Sequence, residues 1–232
     1  MTPRRLALFD LDHTLLPLDS DYQWADFMAR TGRAGDPAQA QARNEWLMQR
    51  YNEGELSALE AAEFMLGLLA AHEPHLLAQW HEEFMQEIIR PNIKVQAIEL
   101  VRQHMTAGDM CAIVTATNSF VTAPIARAFG ISDLIATDPE YVAGRYTGKI
   151  YGTPSFKEGK ITRVNQWLTG MNLSLDQFER SHFYSDSIND LPLLEIVSDP
   201  VATNPSTALR DIAQQRQWPV LDLFDRNLDL KS

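Results

Sequence analysis

The sequence contains little cysteine and no long apolar run. Its 232 residues include one cysteine, Cys111, which excludes an intramolecular disulfide framework and a zinc site built on paired cysteines. No apolar stretch approaches the roughly 18 residues that a transmembrane helix needs. Arg4 and Arg5 are not followed by the apolar core of a signal peptide, because Asp10 and Asp12 interrupt it. We therefore expect a cytoplasmic protein that does not act on membranes.

Positive charge is also scarce. The 20 lysines and arginines face 31 aspartates and glutamates, which gives a net charge of -11. A surface of that sign repels nucleic acid phosphates, so no nucleic acid partner is expected. Apolar residues make up 45% and charged residues 22%, as in ordinary folded domains, which excludes disorder as the main state. No feature of the sequence demands an obligate protein partner.

The spacing of apolar residues divides the chain into three parts. Residues 5–10 form a short apolar run that ends in an acid, which is typical of a strand buried on both faces. Residues 17–92 show only helical spacing, including a capping box at Ser57-Ala58-Leu59-Glu60. From residue 93, short apolar strands alternate with helices, and residues 141–151 have the pattern of a β-hairpin with a glycine-containing turn.

Alternation of strands and helices predicts an α/β fold. We expect a doubly wound, Rossmann-like parallel sheet with helices on both faces, formed by residues 1–16 and 93–232. Residues 17–92 are expected to form an inserted, all-helical cap domain with its own small bundle. Its core would contain the aromatic side chains that recur at helical spacing, which are Trp24, Trp46, Phe64, Trp80 and Phe84.

Polar residues follow several of the apolar runs, at the points where strands are expected to end. They are Asp10 and Asp12 after the first run, Thr115 to Asn118 after a second, Asp186 and Asp190 after a third, and Lys157 and Lys160 at the start of a helix. Each group alone is also compatible with ordinary turn or helix-capping residues. In a parallel sheet, however, all of them gather at one edge. Crowded carboxylates need a cation, and oxygen ligands suit Mg²⁺, which together with a lysine can bind a phosphate group.

These residues, in this order, resemble the motifs of the haloacid dehalogenase-like superfamily of aspartate-nucleophile phosphohydrolases. The resemblance covers nearly the whole chain and is closest to the phosphoserine-phosphatase-like subgroup, whose helical cap follows the first motif. The four segments that carry it are Asp10-Leu11-Asp12-His13-Thr14, Ile113-Val114-Thr115, Lys160 in Glu158-Gly159-Lys160-Ile161, and Asp186 with Asp190.

The resemblance implies a Mg²⁺-dependent phosphatase that acts on a small soluble phosphorylated metabolite. Asp10 would be the nucleophile that forms an aspartyl-phosphate, and Asp12 would be the general acid and base. The implied metal ligands are Asp10, Asp12 through its carbonyl oxygen, Asp186, and Asp190 directly or through water. The implied contacts to the phosphoryl group and substrate are made by Thr115, Ala116, Asn118 and Lys160.

Three points remain open in the sequence. Ser185 stands where the family usually has glycine, and Lys157 competes with Lys160 for the third motif. Asp19 and Ser20, at the entry to the helical part, could bind an amine or imidazole of the substrate or could simply lie at a helix cap. The stretch from residue 10 to 24 resembles bacterial phosphatases of histidinol-phosphatase type, so an amine-bearing substrate similar to phosphoserine or histidinol phosphate is expected.

Two other functions are compatible with the same motifs. A phosphotransferase or mutase would pass the aspartyl-phosphate to an acceptor other than water. A non-catalytic regulatory module would bind phosphate without turnover. The presence of both Asp10 and Asp12 argues against the binding module, because such a module needs only the metal and anion contacts.

Overall fold

A computed structural model describes residues 4–53, 55 and 57–224. The ends of the predicted core segments, residues 1–3 and 225–232, lie outside the described residues. Seven strands form one sheet in the order β4-β3-β2-β1-β5-β6-β7. The strands are β1 (Arg5–Phe9), β2 (Met110–Asn118), β3 (Asp133–Val142), β4 (Arg145–Tyr151), β5 (Arg180–Ser185), β6 (Asp199–Thr203) and β7 (Val220–Leu221).

Helices connect the strands and fill the segment after β1. They are α1 (Ser20–Arg30), α2 (Pro37–Asn52), α3 (Ala58–Ala70), α4 (Pro74–Phe84), α5 (Arg90–Asn92), α6 (Val95–Thr106), α7 (Ser119–Ala128), α8 (Glu158–Gly170), α9 (Leu191–Leu194) and α10 (Thr207–Gln215). A π-helical turn, Met85–Ile89, joins α4 to α5, and short 3₁₀ turns occur at Leu175–Gln177 and Ile188–Asp190. No described helix is both long and apolar enough to cross a membrane.

The sheet is parallel except for β4, which pairs antiparallel with β3 as the predicted hairpin. The central strand β1 pairs with β2 on one side and β5 on the other. The chain therefore leaves β1 in one direction and later returns to its opposite side. In open α/β sheets, the crevice at the carboxyl end of such a central strand is where ligands bind.

The two faces of the sheet are both buried, as the first apolar run predicts. Along β1, Ala7 and Phe9 belong to one apolar cluster, whereas Leu6 and Leu8 belong to another on the opposite face. All four side chains are fully buried, because successive residues of a strand point to opposite faces. The predicted α/β fold with a mostly parallel sheet and helices is confirmed.

The helical segment packs directly on this sheet domain. Trp24, Leu69 and Phe84 share one buried cluster with the sheet residue Phe9, whereas the segment's separate cluster is built on only Ala25, Leu47 and Met65. The expected bundle with its own core is therefore small. The division into a core domain and a cap domain remains a prediction.

The placement of one aromatic residue was wrong. Trp24 and Phe84 are fully buried as expected, but Trp46 is 54% exposed. The guanidinium of Arg50, one turn further along α2, covers its ring at 5.2 Å. Helical spacing identified a stripe of aromatics, but it could not show that this part of α2 faces solvent.

Some element bounds also differ from the prediction. The second strand continues to Asn118, and its pairing with β3 shifts register between Val114 and Asn118. Polar residues expected just after the strand therefore belong to it.

Candidate active site

A cavity of about 940 Å³ opens at the carboxyl end of β1, between the sheet and the helical segment. Asp10 follows β1 directly, and its backbone N–H donates to the carbonyl of Tyr184 in β5 at 2.9 Å. Helix α1 and the residues before it close the other side of the cavity. Of the site residues predicted from sequence, those that line the cavity are Asp10, Asp12, Asp19, Thr115, Ala116, Lys160, Asp186 and Asp190.

A buried lysine joins two of these carboxylates. The Lys160 ammonium donates to Asp10 Oδ1 at 2.8 Å and to Asp190 Oδ2 at 2.7 Å. Burial acts to lower the pKa of Lys160, but the two carboxylates outweigh it and raise that pKa above its ordinary value. The ammonium therefore stays charged at neutral pH and holds Asp10 at the end of its strand.

Ser185 forms a hydrogen bond with Asp190, one of the two carboxylates that Lys160 contacts. Its hydroxyl donates to Asp190 Oδ2 at 2.7 Å and accepts from the backbone N–H of Ser187 at 3.1 Å. The side chain that replaces the family's usual glycine is thus fully buried and hydrogen-bonded. Asp190 directs one oxygen to both Lys160 and Ser185, and its expected contact with a metal ion, directly or through water, stays a prediction.

Thr14 brings the first and last acidic motifs together. Its hydroxyl lies 3.1 Å from Asp10 Oδ2 and 3.4 Å from Asp186 Oδ1, and the Asp186 backbone N–H donates to it at 3.1 Å. Thr14 and Asp186 are 172 positions apart in the chain, but they follow β1 and β5, which are neighbours in the sheet. Asp10 and Asp186 therefore lie together, as the order of the motifs predicts.

Both oxygens of Asp12 accept hydrogen bonds from different elements. Oδ1 accepts from the backbone N–H of Ser20 at 2.9 Å, and Oδ2 accepts from the Thr117 hydroxyl at 2.7 Å. Burial raises the pKa of Asp12 from an ordinary 3.8 to about 6, and the nearby charge of Asp19 acts in the same direction. A carboxyl group with such a pKa can hold and release a proton near neutral pH.

The structure separates the two candidate lysines. Lys160 is buried in the site, whereas Lys157 is exposed and lies 5.3 Å from the ring of its neighbour Phe156. Gly159 explains part of this geometry, because a Cβ at that position would lie 2.1 Å from the Pro154 carbonyl oxygen. Because residue 159 has no side chain, the start of α8 can lie against Pro154, and Lys160, the next residue, lines the cavity.

Thr115 and Asn118, from the second motif, have different positions. Thr115 is buried and lines the cavity, and its hydroxyl oxygen accepts the backbone N–H of Thr117 at 3.2 Å. Asn118, in contrast, does not line the cavity. Its Oδ1 caps α7 by accepting the Val121 N–H at 3.1 Å, and its Nδ2 donates to Asp21 Oδ1 at 2.8 Å. The structure therefore places Asn118 at the cap of α7 and against Asp21, and its expected contact with the substrate stays a prediction.

The entry to α1 forms an acidic wall of the cavity. Asp19 is the helix cap, accepting the Tyr22 N–H at 2.8 Å, and the side chain of Ser20 is buried and is not among the cavity-lining residues. Asp21 lines the cavity, and burial raises its pKa well above the ordinary range, with the charges of Asp19 and Asp12 adding to the shift. Three carboxyl groups thus crowd one side of the cavity.

Sequence reasoning missed two residues of the site. Thr117 was included only as part of a polar stretch, yet it contacts Asp12. Asn204, at the end of β6, donates to the carbonyls of His13 at 3.1 Å and Thr14 at 3.2 Å and so fixes the first motif's loop. Neither has a motif of its own, although the sheet order would place the residue after β6 near this edge.

Comparison with known proteins gives the family. Residues 7–195 match the family model described as haloacid dehalogenase-like hydrolase. The chain belongs to the haloacid dehalogenase-like hydrolase family.

Individual relatives agree with this assignment. A histidinol-phosphatase of Neisseria meningitidis serogroup C (strain 8013) is 44% identical over 220 residues, which cover 94% of this chain and 99% of that protein. A crystal structure of a protein of unknown function from Bordetella pertussis Tohama I is 72% identical, with a TM-score of 0.95 over 96% of this chain and 100% of that one. A substrate-bound phosphoserine phosphatase shares the fold, with a TM-score of 0.69 at 17% identity over 100% of this chain and 99% of that one. The predicted family and the predicted class of enzyme, a phosphoric monoester hydrolase, are confirmed.

Proposed function

We propose that this protein is a Mg²⁺-dependent phosphatase that hydrolyses a small, amine-bearing phosphomonoester through an aspartyl-phosphate. The observation that carries the proposal is the juxtaposition of two unlike carboxyl groups in one cavity. Burial raises the pKa of Asp10, but the buried, charged Lys160 beside it acts against that rise, whereas Asp12 is held by Ser20 and Thr117 and has a pKa raised to about 6. The first suits a nucleophile and the second suits a general acid and base.

In the first step, a carboxylate oxygen of Asp10 forms a bond to phosphorus. The bond between phosphorus and the ester oxygen breaks, its electron pair stays on that oxygen, and the oxygen takes the proton from Asp12. The Thr115 hydroxyl, the Ala116 backbone N–H and the Lys160 ammonium are proposed to bind the phosphoryl oxygens and offset their charge. The alcohol then leaves.

In the second step, water attacks the same phosphorus. Asp12, now ionised, takes a proton from the water, and the bond between phosphorus and the Asp10 oxygen breaks. Inorganic phosphate leaves and both side chains return to their starting states. Because Asp12 takes part in both steps, the enzyme needs no further acid or base for turnover.

The donors in the site fit Mg²⁺. Asp10 and Asp186 are joined through Thr14, and the Asp12 carbonyl oxygen is the third proposed ligand. Within the described part of the chain, no group of three or more histidine, cysteine, aspartate or glutamate side chains is arranged to hold a metal. Mg²⁺ does not need one, because it binds through one or two carboxylates and completes its shell with water and phosphate oxygens. When bound, the ion would offset charge on the phosphoryl group.

The substrate's leaving group is proposed to carry a positive charge and no carboxylate. The charge of Asp19 raises the pKa of both Asp12 and Asp21, and that of Asp12 adds to the rise at Asp21, so a substrate ammonium or imidazolium group would relieve this repulsion. Among the described residues that line the cavity, Lys160 is the only lysine or arginine, and Asp10 and Asp190 already pair with it. A second anionic group on the substrate would lack a partner. This favours an amino-alcohol phosphate of histidinol-phosphate type over phosphoserine.

A substrate panel tests the chemistry. We expect the purified protein to release phosphate from histidinol phosphate and p-nitrophenyl phosphate in Mg²⁺ but not in EDTA, and Asp10→Asn to abolish release. No release from any phosphomonoester would contradict the proposal and favour a non-catalytic phosphate-binding module. Release of p-nitrophenol that rises with added alcohol acceptors, with phosphorylated alcohol as a product, would indicate phosphotransfer.

A second experiment tests recognition of the amine. Asp21→Asn is expected to raise the KM for histidinol phosphate about tenfold or more, while the KM for glycerol 2-phosphate, which has no amine, stays within about twofold. Asp26→Asn is the matched control, since Asp26 lies on the same helix but does not line the cavity. Equal effects on both substrates would contradict recognition of the amine, and faster turnover of phosphoserine than of histidinol phosphate would contradict the exclusion of a carboxylate.

A further inference from the structure

Thr117 makes two contacts that tie together parts of the site. Its backbone N–H donates to the Thr115 hydroxyl oxygen at 3.2 Å, and its own hydroxyl donates to Asp12 Oδ2 at 2.7 Å. The residue is 7% exposed and lines the cavity. One residue of β2 therefore links the side chain expected to bind the phosphoryl group to the side chain expected to transfer the proton.

The two hydrogen bonds to Asp12 come from elements that are far apart in sequence. Ser20 N–H belongs to the start of α1 and holds Oδ1, whereas Thr117 belongs to the sheet and holds Oδ2. Either bond alone would leave the carboxyl group free to turn about its χ2 angle, which is a broad torsion. Together they fix the plane of the carboxyl group.

We propose that Thr117 is a positioning residue that aims the Asp12 carboxyl group at the ester oxygen. This inference rests on the proposed function, in which Asp12 protonates the leaving oxygen. A carboxyl oxygen has two lone pairs. Oδ2 can therefore accept the Thr117 hydroxyl on one of them and give or take a proton on the other, so the orientation persists through both steps.

The choice of leaving group separates this role from a structural one. An alkoxide leaves poorly unless it is protonated, whereas p-nitrophenolate leaves without a proton. Misdirection of Asp12 should therefore slow the first step for alkyl phosphates and spare it for p-nitrophenyl phosphate. A general loss of structure would slow both alike.

The experiment uses Thr117→Val, which has nearly the same shape and lacks the hydroxyl, and Thr117→Ser, which keeps it. Single turnovers with enzyme in excess isolate the first step, because they follow release of the alcohol or of p-nitrophenol. For Thr117→Val we expect histidinol release to slow about tenfold or more and p-nitrophenol release to stay within about threefold of the wild type. Thr117→Ser should restore histidinol release to within about threefold.

Three results would overturn the proposal: an equal loss with both substrates, no loss with either, or a serine variant as slow as the valine variant. If Thr117→Val does not fold by thermal melting, Thr117→Ala supplies the same comparison without a branched apolar side chain against the carboxylate. A wild-type protein inactive on every phosphomonoester would refute the proposed function and this inference with it. If the wild type is active and Thr117→Val leaves the ratio of the two release rates unchanged, only the role of Thr117 is refuted.

Discussion

Replacement of Lys160 by methionine probes the buried charges at the centre of the site. The lysine side chain is 3% exposed, and Asp10 and Asp190 side chains are 9% and 4% exposed. Methionine fills a similar volume but leaves two carboxylates without their shared cation. Because both contacted Nζ, at 2.8 and 2.7 Å, their contacting oxygens lie no more than 5.5 Å apart.

The size of the effect follows from these distances. At an effective dielectric constant of about 20, each contact with the ammonium contributes roughly 6 kcal/mol of gross attraction, and the two carboxylates repel each other by about 3 kcal/mol. Most of the gross attraction is offset by the cost of burying the lysine. Removal of one partner from a buried ion pair typically destabilises a protein by about 3–5 kcal/mol, and we expect Lys160→Met to fall in that range at pH 7.

Urea unfolding followed by circular dichroism, in EDTA, measures this loss without bound metal. Adding Asp190→Asn to Lys160→Met should recover part of it, because one of the two opposed charges is removed. The loss should also shrink toward pH 4, since the unpaired carboxylates take up protons in the folded variant. Lys149→Met is the control, because Lys149 is exposed on β4 and such changes usually stay within about 0.5 kcal/mol. A loss below about 1 kcal/mol, or a double variant whose loss is the sum of the single ones, would refute the reasoning.

Three more predictions concern other residues of the site. Asp12 has a folded-state pKa of about 6 against an ordinary 3.8, so its contribution to stability falls as pH rises from about 4 through 6. Asp12→Asn should be inactive in Mg²⁺, and in EDTA its free energy of unfolding should exceed that of the wild type by roughly 1–3 kcal/mol at pH 8 but not at pH 4; equal unfolding free energies at pH 8 would contradict the shift. Gly159→Ala would bring a Cβ to 2.1 Å from the Pro154 carbonyl oxygen, so it should lower the unfolding free energy by about 2 kcal/mol or more and slow turnover. In the control Gly170→Ala, at the other end of α8, the new Cβ has nothing within 4 Å, so stability and turnover should change little. Thr14→Val removes the hydroxyl between Asp10 and Asp186, the two carboxylates proposed to bind the metal, and should raise the Mg²⁺ concentration for half-maximal activity about tenfold. Thr14→Ser should retain the wild-type value, and an unchanged Mg²⁺ requirement in the valine variant would contradict this role of the hydroxyl.

Local patterns predicted much of the fold. The uninterrupted apolar run of β1 indicated burial on both faces, and its alternate residues do divide between two clusters. The box at Ser57 and Glu60 forms with both reciprocal hydrogen bonds. Helix signals of this kind act over one turn of chain, so they can be recognised without knowledge of the rest of the molecule.

The positions of the acidic motifs were predictable for a related reason. Asp10 and Asp186 each follow an apolar strand, and parallel strands bring their carboxyl ends to one edge. Resemblance to the family supplied the expected roles, which the experiments above test. Of the two candidate lysines, Lys160, which a helical apolar pattern follows, lines the cavity, whereas Lys157 is exposed.

Pairings between distant side chains were not predictable from the sequence. Asn118 and Thr117 both lie in the second polar stretch, yet one caps α7 and holds Asp21 whereas the other holds Asp12. Both residues lie where the pairing of β2 with β3 shifts register, and their partners Asp12 and Asp21 are remote from them in sequence. No local signal encodes that shift.

The sequence by itself determined the order of strands and helices and the chemical types of residue at the strand ends, since hydrophobic periodicity and capping act over a few residues. Tertiary structure alone decided which oxygen meets which donor, how strongly burial shifts the pKa of Asp12, and that the start of α1 forms an acidic wall of the cavity that contains Asp10. Those properties depend on distances of about 3 Å between residues remote in sequence and on the water that packing removes, and neither quantity exists until the chain has folded.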